Sequence, residues 1–261
     1  MTHEYPIVME GRGLSKSYGT ITALDNVSVQ IRLGEICAIV GDNGAGKSSL
    51  IRILSGAIQP DEGEIYSDEK RITLKNPAEA RALGIETIYQ DLALAPNRDV
   101  VENLFLGREV CRGGLLGPLR LLDRGSMRRR AAEQLKKLEV DIPRTTGAAI
   151  GSMSGGQRQA VAVARAAFWA SKVMFMDEPT AALGVREAGA VLRLARRIAD
   201  NGLAVVMVSH VLPHVMELAD RVIVLRHGMK VAEITEELSM ERLVGLIVGI
   251  DAGEVAPGKE L

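Results

Sequence analysis

The sequence has little cysteine, almost no net charge and no long apolar run, and each shortage excludes a class of protein. Its 261 residues include only two cysteines, Cys37 and Cys111, and neither has a second Cys or a His at metal-ligand spacing. A zinc site is therefore not expected, and two isolated thiols suit a reducing cytosol. No stretch approaches the ~18 apolar residues that a membrane-spanning helix needs.

The charge balance argues against a nucleic-acid partner. There are 32 Lys and Arg residues against 33 Asp and Glu, for a net charge of −1, which gives no attraction for a phosphate backbone. The basic run at 128–130 lies between Asp123 and Glu133, a pattern that favours a solvated helix face. The first residues lack the basic and apolar regions of a signal peptide. We therefore expect a soluble chain whose membrane role, if any, comes through a partner.

Residues 41–48 carry the most informative pattern in the chain. They match the phosphate-binding loop G-x-x-x-x-G-K-[ST], between an apolar strand at 36–40 and a helix-forming run. Backbone N–H groups of such a loop wrap nucleotide phosphates, and the following helix N-terminus adds positive dipole. We expect Lys47 to reach the β- and γ-phosphates and Ser48 to hold Mg²⁺. The candidate nucleotide-binding residues are Gly41, Asp42, Asn43, Gly44, Ala45, Gly46, Lys47, Ser48 and Ser49.

The rest of the chain alternates apolar strands with amphipathic helices, and the predicted strands include residues 7–9, 27–31, 36–40, 173–176 and 204–208. This pattern predicts an α/β fold, a P-loop NTPase core with a mostly parallel sheet, flanking helices and an N-terminal antiparallel β region. The middle of the chain is different, because it is mostly helical in pattern. We predict a core formed by residues 1–90 and 158–250, an inserted α-helical subdomain at 91–157, and a C-terminal tail at 251–261.

A second acidic pattern follows the apolar strand at 173–176. The strand ends in Asp177 and Glu178, which is the form of a Walker B motif. Such a strand delivers Asp177 to the mouth of the phosphate site, where it can hold Mg²⁺ through water. Because side chains alternate along a strand, Glu178 is predicted to point the other way. It is placed to accept a proton from an attacking water as a general base.

Residues 153–157 read Met-Ser-Gly-Gly-Gln and open a predicted helix, which makes an anion-binding N-terminus. Together with the loop at 41–48 and the acidic strand end, they resemble the ABC ATPase family, whose signature is usually L-S-G-G-Q. The resemblance covers about residues 5–250. It implies that Ser154, Gly155, Gly156 and Gln157 contact the γ-phosphate of ATP held by a second copy.

The resemblance also implies roles for three residues that would otherwise be read as ordinary surface or structural positions. Gln90 resembles the glutamine that touches Mg²⁺ and the attacking water, and His210 the histidine that contacts the γ-phosphate. Tyr18 resembles the aromatic that stacks on adenine. The implied catalytic set is Glu178, His210 and Gln90, and the implied Mg²⁺ ligands are Ser48, Gln90 and Asp177.

One position departs from the family pattern. The loop after the acidic strand usually ends in Ser-Ala-Leu-Asp, whereas residues 181–184 here read Ala-Ala-Leu-Gly. Gly184 thus stands where the family has an aspartate that crosses the dimer interface, so communication between two sites is in doubt. The variant itself resembles the carbohydrate-importer subgroup, as do the motifs at 102–109 and 244–249.

The resemblance implies an ATP- and Mg²⁺-dependent homodimer of cassettes that drives a separate multi-span permease, and indirectly an extracytoplasmic solute-binding protein. The chain would then lie at the cytoplasmic face of the plasma membrane and import a monosaccharide such as fructose, ribose or xylose. An importer for a non-sugar solute and a soluble non-transport ABC ATPase are the alternatives. The segment 107–123 is either a loop packed on its own subdomain or a contact for the permease.

Overall fold

The structure is a computed structural model that describes residues 5–113, 121–140 and 147–250. The predicted tail at 251–261, residues 114–120 of the segment 107–123, and residues 141–146 of the predicted helical subdomain lie outside these ranges. Among the described residues, no helix combines the length and apolar character needed to cross a membrane.

Ten strands in the described residues form two sheets. They are β1 (Ile7–Tyr18), β2 (Ile21–Arg32), β3 (Ile36–Val40), β4 (Glu62–Ser67), β5 (Lys70–Ile72), β6 (Ile85–Ile88), β7 (Val173–Asp177), β8 (Ala204–Val208), β9 (Arg221–Arg226) and β10 (Met229–Ile234). An antiparallel sheet has the order β2-β1-β4-β5, and a six-stranded sheet has the order β10-β9-β3-β8-β7-β6. In the larger sheet only β10 runs antiparallel to its neighbour.

The two sheets differ in sequence pattern because they differ in burial. Strands β3 and β8 are buried along their whole length and consist only of apolar residues, as expected for parallel strands covered on both faces. Strands β1 and β2 mix polar and apolar residues and are buried only in part. The predicted α/β fold with an N-terminal antiparallel region is therefore confirmed.

Eight α-helices and a short 3-10 helix at Ile150–Ser152 occur in the described residues. The α-helices are α1 (Lys47–Leu54), α2 (Pro77–Ala82), α3 (Val100–Leu104), α4 (Arg124–Lys137), α5 (Gly155–Trp169), α6 (Val185–Asp200), α7 (Leu212–Leu218) and α8 (Met240–Val248). Helices α3 and α4 lie in the segment between β6 and β7. Helix α5 passes without a break through residue 157, where the predicted subdomain ends, so the division stays a prediction.

Side chains of α5 connect its far end to the loop that follows β6. Arg165 donates from its two terminal nitrogens to the carbonyl oxygens of Leu92 and Ala93, both at 2.8 Å. Nearby, the indole N–H of Trp169 donates to the carbonyl oxygen of Leu104 at 2.8 Å. Helix α5 therefore holds both the loop after Gln90 and the end of α3.

Candidate functional site

The candidate site lies at the edge where the parallel strands β3, β7 and β8 end. Polar residues follow each strand, and parallel strands bring such residues together at the carboxyl edge of the sheet. A cleft of about 500 Å³ opens there, and its lining includes Gly41, Asp42, Asn43, Glu178, Ser209 and His210. The loop at 41–48 and two of the predicted catalytic residues thus share one cleft.

The loop fits tightly between β2 and β9 because glycine occupies the two positions that approach these strands most closely. Gly41 has a φ of 148° and Gly46 a φ of 99°, both in a range that glycine adopts far more readily than other residues. A β-carbon on Gly41 would overlap the carbonyl oxygen of Leu225, and one on Gly46 would overlap that of Ala23. Gly46 then caps α1, so Lys47 begins the helix and its N-terminal dipole faces the loop.

Lys47 is folded back into the loop. Its ammonium nitrogen donates to the carbonyl oxygens of Gly41 and Asp42, each at 2.8 Å, and the residue is only 7% exposed. Burial lowers the pKa of Lys47, while Glu178, Asp42 and Asp177 act in the opposite direction. The cation therefore lies at the mouth of the loop, surrounded by oxygen atoms that phosphate oxygens can replace.

Asp177 ends β7 beside the loop. Burial raises the pKa of its carboxyl above the ordinary value, Glu178 adds to this rise, and a hydrogen bond with Ser48 opposes it. Its Oδ1 is buried and has no hydrogen-bond partner among the described residues. A carboxylate oxygen with a free lone pair beside a serine hydroxyl is a donor set that suits Mg²⁺, which prefers hard oxygen ligands.

Glu178 does not continue the strand. Strand β7 ends at Asp177, and Glu178 has a φ of 52°. Its N–H donates to the carbonyl oxygen of Val208 at 3.0 Å. A left-handed turn, rather than strand alternation, therefore aims its carboxylate. That carboxylate lies in the cleft with its Oε1 3.0 Å from Nδ1 of His210.

The signature residues form a separate cleft. Ser154 caps α5 in a capping box: its hydroxyl accepts from the Gln157 N–H at 3.2 Å, and the Gln157 side chain accepts from the Ser154 N–H at 2.9 Å. This cleft is lined by Ser154, Gly156, Gln157, Ala160, Arg186, Glu187 and Ala190, and it shares no lining residue with the first. One chain therefore does not bring its signature to its own loop.

Two other predicted residues lie at the periphery. Tyr18 ends β1, pairs with Ile21 and is 45% exposed. It is near the loop in the fold because β2 passes Gly46 at Ala23. Gln90 is exposed two residues beyond β6, and within the described ranges no hydrogen bond joins it to the loop.

One contact was not predicted. Nδ1 of His214 lies 3.1 Å from the hydroxyl oxygen of Thr180, a buried residue that follows Glu178 by two positions. His214 thus supports the turn that carries Glu178. No pattern in the sequence marked it, since a histidine in a short helix has no distinguishing spacing.

A larger cleft, of about 690 Å³, lies over the antiparallel sheet. Its polar groups satisfy one another: Arg12 pairs with Glu10 at 2.6 Å and stacks on the ring of Tyr66 at 4.0 Å. The larger cleft is therefore not the candidate site. The smaller cleft at the strand edge contains the phosphate-binding loop and the residues suited to hydrolysis.

Comparison with known proteins agrees with this geometry. The family described as ABC transporter matches residues 24–181. The chain is 47% identical to the fructose import ATP-binding protein of Rhizobium meliloti, over 93% of this chain and 94% of that protein. It is 42% identical to the xylose/arabinose import ATP-binding protein of Sulfolobus acidocaldarius, over 97% and 98%. A ribose import ATP-binding protein of Rubrobacter xylanophilus is 41% identical over 96% of this chain, which spans only 48% of that longer protein.

Solved structures have the same fold. A nucleotide-free ATP-binding cassette from an ABC transporter superposes with a TM-score of 0.80 at 27% identity, covering 97% of this chain and all of that one. A cassette in a dimeric, post-hydrolysis state bound to ADP and phosphate gives a TM-score of 0.72 at 27% identity, covering 88% of this chain and 100% of that one. The chain therefore belongs to the ABC transporter family, as one of its ATP-hydrolysing ATP-binding cassettes.

Proposed function

We propose that this cassette hydrolyses ATP between two copies of itself and so drives the import of a monosaccharide through a separate membrane permease. The observation that carries the proposal is the contact between Glu178 and His210, 3.0 Å apart in the cleft of the phosphate-binding loop. Such a base and its orienting partner are what the hydrolysis of a bound γ-phosphate requires.

Each residue of the cleft has a distinct task in this mechanism. The backbone N–H groups of residues 41–48 and the Lys47 ammonium hold the phosphates, with Lys47 exchanging two carbonyl oxygens for phosphate oxygens. Glu178 accepts a proton from the attacking water, and His210 keeps that carboxylate oriented.

Two peripheral residues complete the proposed site. Tyr18 offers an exposed ring for the adenine base, and Gln90 is the residue proposed to contact the attacking water and the metal. Ser48 and Asp177, with Gln90, would hold Mg²⁺, which supplies positive charge to the phosphate oxygens.

The separation of the two clefts is the reason for proposing that a second copy completes each ATP site. Ser154 and Gly155 are exposed at the start of α5, so the N–H groups of this helix terminus are open to an anion. Since each chain holds one loop and one signature, two antiparallel copies supply two complete sites. Solved cassettes of dimeric form support this arrangement.

The proposal that the transported solute is a sugar is based on the similarity to the relatives. Those named above are import ATP-binding proteins for fructose, xylose or arabinose, and ribose. A permease, a solute-binding protein and a position at the cytoplasmic face of the membrane are part of the proposal. The core and helical subdomains divided at residues 90 and 157 are also retained as proposals.

The test is to purify the tagged chain from native membranes in mild detergent and to identify what accompanies it. We expect a multi-span membrane protein, and a complex whose ATP hydrolysis rises with a monosaccharide and its binding protein. The Glu178→Gln variant, purified identically, should assemble but show no such rise. Stimulation by an amino acid instead would refute sugar import, and the absence of any membrane partner would refute import altogether.

A further inference from the structure

The turn after β7 holds Glu178 in a backbone conformation that needs support from its surroundings. Glu178 has a φ of 52°, which costs energy for a residue that carries a β-carbon. The N–H of Ala181 donates to the carbonyl oxygen of Glu178 at 3.1 Å, so residues 178–181 form a four-residue turn with Thr180 as its third member. Strained backbone of this kind persists only where neighbouring contacts fix it. The contacts of this turn therefore decide where the Glu178 carboxylate lies.

Two histidines from the segment after β8 contact the turn at separate points. Nδ1 of His210 lies 3.0 Å from Oε1 of Glu178. Four residues later, Nδ1 of His214 lies 3.1 Å from the hydroxyl oxygen of Thr180. The first contact holds the carboxylate, and the second holds the turn that carries it.

The contact at His214 is anchored to the protein core, whereas the contact at His210 is not. Thr180 is only 5% exposed, and His214 precedes Val215 of α7, which is fully buried and packs in the main core. His210 lies before α7 begins, and its side chain is 56% exposed. The pairing of His210 with Glu178 therefore depends on a turn that the core fixes through His214 and Thr180.

We propose that His214 is a positioning residue for ATP hydrolysis, which fixes the turn at Thr180 and thereby presents Glu178 to His210 and to the attacking water. The residues that line the phosphate cleft include His210 but not His214, so His214 acts through the turn and not on the nucleotide. The inference rests on the proposed function, because it concerns how the general base of that function is held.

The test is a double-mutant cycle read by steady-state ATP hydrolysis of the purified chain. His214→Leu removes the ring nitrogen and keeps an apolar side chain, and Thr180→Val removes the hydroxyl and keeps the shape. A displacement of about 1 Å can cost about 100-fold in rate, so a loosened turn should lower kcat by about tenfold in each variant. The double variant should be no slower than either single variant, since both break one contact. KM for ATP should change by less than about twofold, because the phosphate contacts are kept.

Two further variants separate positioning from general damage. His214→Asn keeps a hydrogen-bonding atom close to the position of Nδ1, so it should recover most of the kcat that His214→Leu loses. Glu217→Leu introduces leucine at an exposed position of the same helix and is the matched control, with kcat expected to equal that of the parent.

Several results would overturn the inference. An unchanged kcat in His214→Leu would do so, as would losses that multiply in the double variant or a His214→Asn chain as slow as His214→Leu. If His214→Leu does not fold, Thr180→Val decides alone, because valine has the shape of threonine, and an unchanged kcat there overturns the inference. Failure of the proposed function is recognised separately, since the Glu178→Gln chain would then hydrolyse ATP as fast as the parent.

Discussion

Replacing Asp177 with asparagine should make the nucleotide-free protein more stable while weakening its response to Mg²⁺. The carboxylate is unfavourable in the free protein, since its Oδ1 is buried without a partner and burial raises its pKa. Asparagine keeps an oxygen that can accept from Ser48 and removes the repulsion from Glu178. Because asparagine carries no charge, the cost of burying a carboxylate is removed, and we expect a gain of about 1 kcal/mol in the free energy of unfolding, a common size for a single substitution.

The assay is thermal unfolding with EDTA and with Mg²⁺ and ATP. For a chain of this size, about 1 kcal/mol corresponds to ~2–4 °C in Tm. We expect the Asp177→Asn chain to unfold at the higher temperature in EDTA, and the order of the two chains to reverse with Mg²⁺ and ATP. Asp200→Asn, which makes the same substitution at an exposed residue of α6 outside the proposed site, is the matched control for the metal response.

The stability difference between the Asp177→Asn chain and the parent chain should depend on pH in a defined direction. The carboxyl has a folded pKa above its ordinary value of 3.8, so its cost to the folded state is complete above the folded pKa. The cost disappears as the pH falls through that pKa to below the ordinary value. The advantage of Asp177→Asn in EDTA should therefore shrink towards acid pH. A less stable variant in EDTA, or an unchanged shift with Mg²⁺ and ATP, would refute the reasoning.

Three further substitutions test other parts of the structure. Lys47→Ala should lower ATP affinity by about 100-fold, because a buried cation that meets phosphate is lost; unchanged affinity by calorimetry would contradict its role. Arg221→Met leaves the buried Glu35 unpaired, so the free energy of unfolding in urea should fall by ~3–5 kcal/mol; a loss under 1 kcal/mol would be inconsistent. Gly46→Ala should abolish ATP binding while Gly44→Ala, which meets no atom within 4 Å, should be milder; equal losses would argue against a steric cause.

The parts of the fold and site that follow strict patterns could be predicted. The loop at 41–48 and the acidic pair at 177–178 each need fixed residue types at fixed spacing, next to a strand buried on both faces. Such strands are apolar throughout, so β3 and β8 agree with the sequence prediction in both bounds. Where the chemistry fixes the residue types and full burial requires apolar side chains, few other local structures fit the sequence.

Other elements could not be predicted because local rules were broken by longer-range contacts. Short strands were expected at 7–9 and 27–31, whereas β1 and β2 each extend over 12 residues. Register shifts interrupt the alternation between Gly11 and Leu14, which hides a strand from a period-two pattern. Strand β10 and helix α8 were not predicted either. Strand β10 is held at the sheet edge partly by the Arg221–Glu233 ion pair at 2.8 Å, a contact between separate strands.

Side-chain contacts within the site could not be predicted from the sequence either. Strand order explains why Glu178 and His210 approach each other, yet only the left-handed turn at Glu178 sets their contact. Likewise, nothing local relates Glu187 to Gly156, because α5 and α6 meet only through their packing against each other in the folded chain. The spacing of residues along the chain carries no information about such contacts.

The central claim is that one chain holds half of each ATP site. Light scattering of the purified Glu178→Gln chain with Mg²⁺ and ATP tests it most directly, with Ser154→Arg in the same background as the matched control. The account predicts twice the monomer mass of 28.1 kDa with ATP, a monomer with ADP, and a monomer for the control even when ATP is bound. A monomer at every ATP concentration that saturates the loop, or a dimer that survives Ser154→Arg, would contradict it.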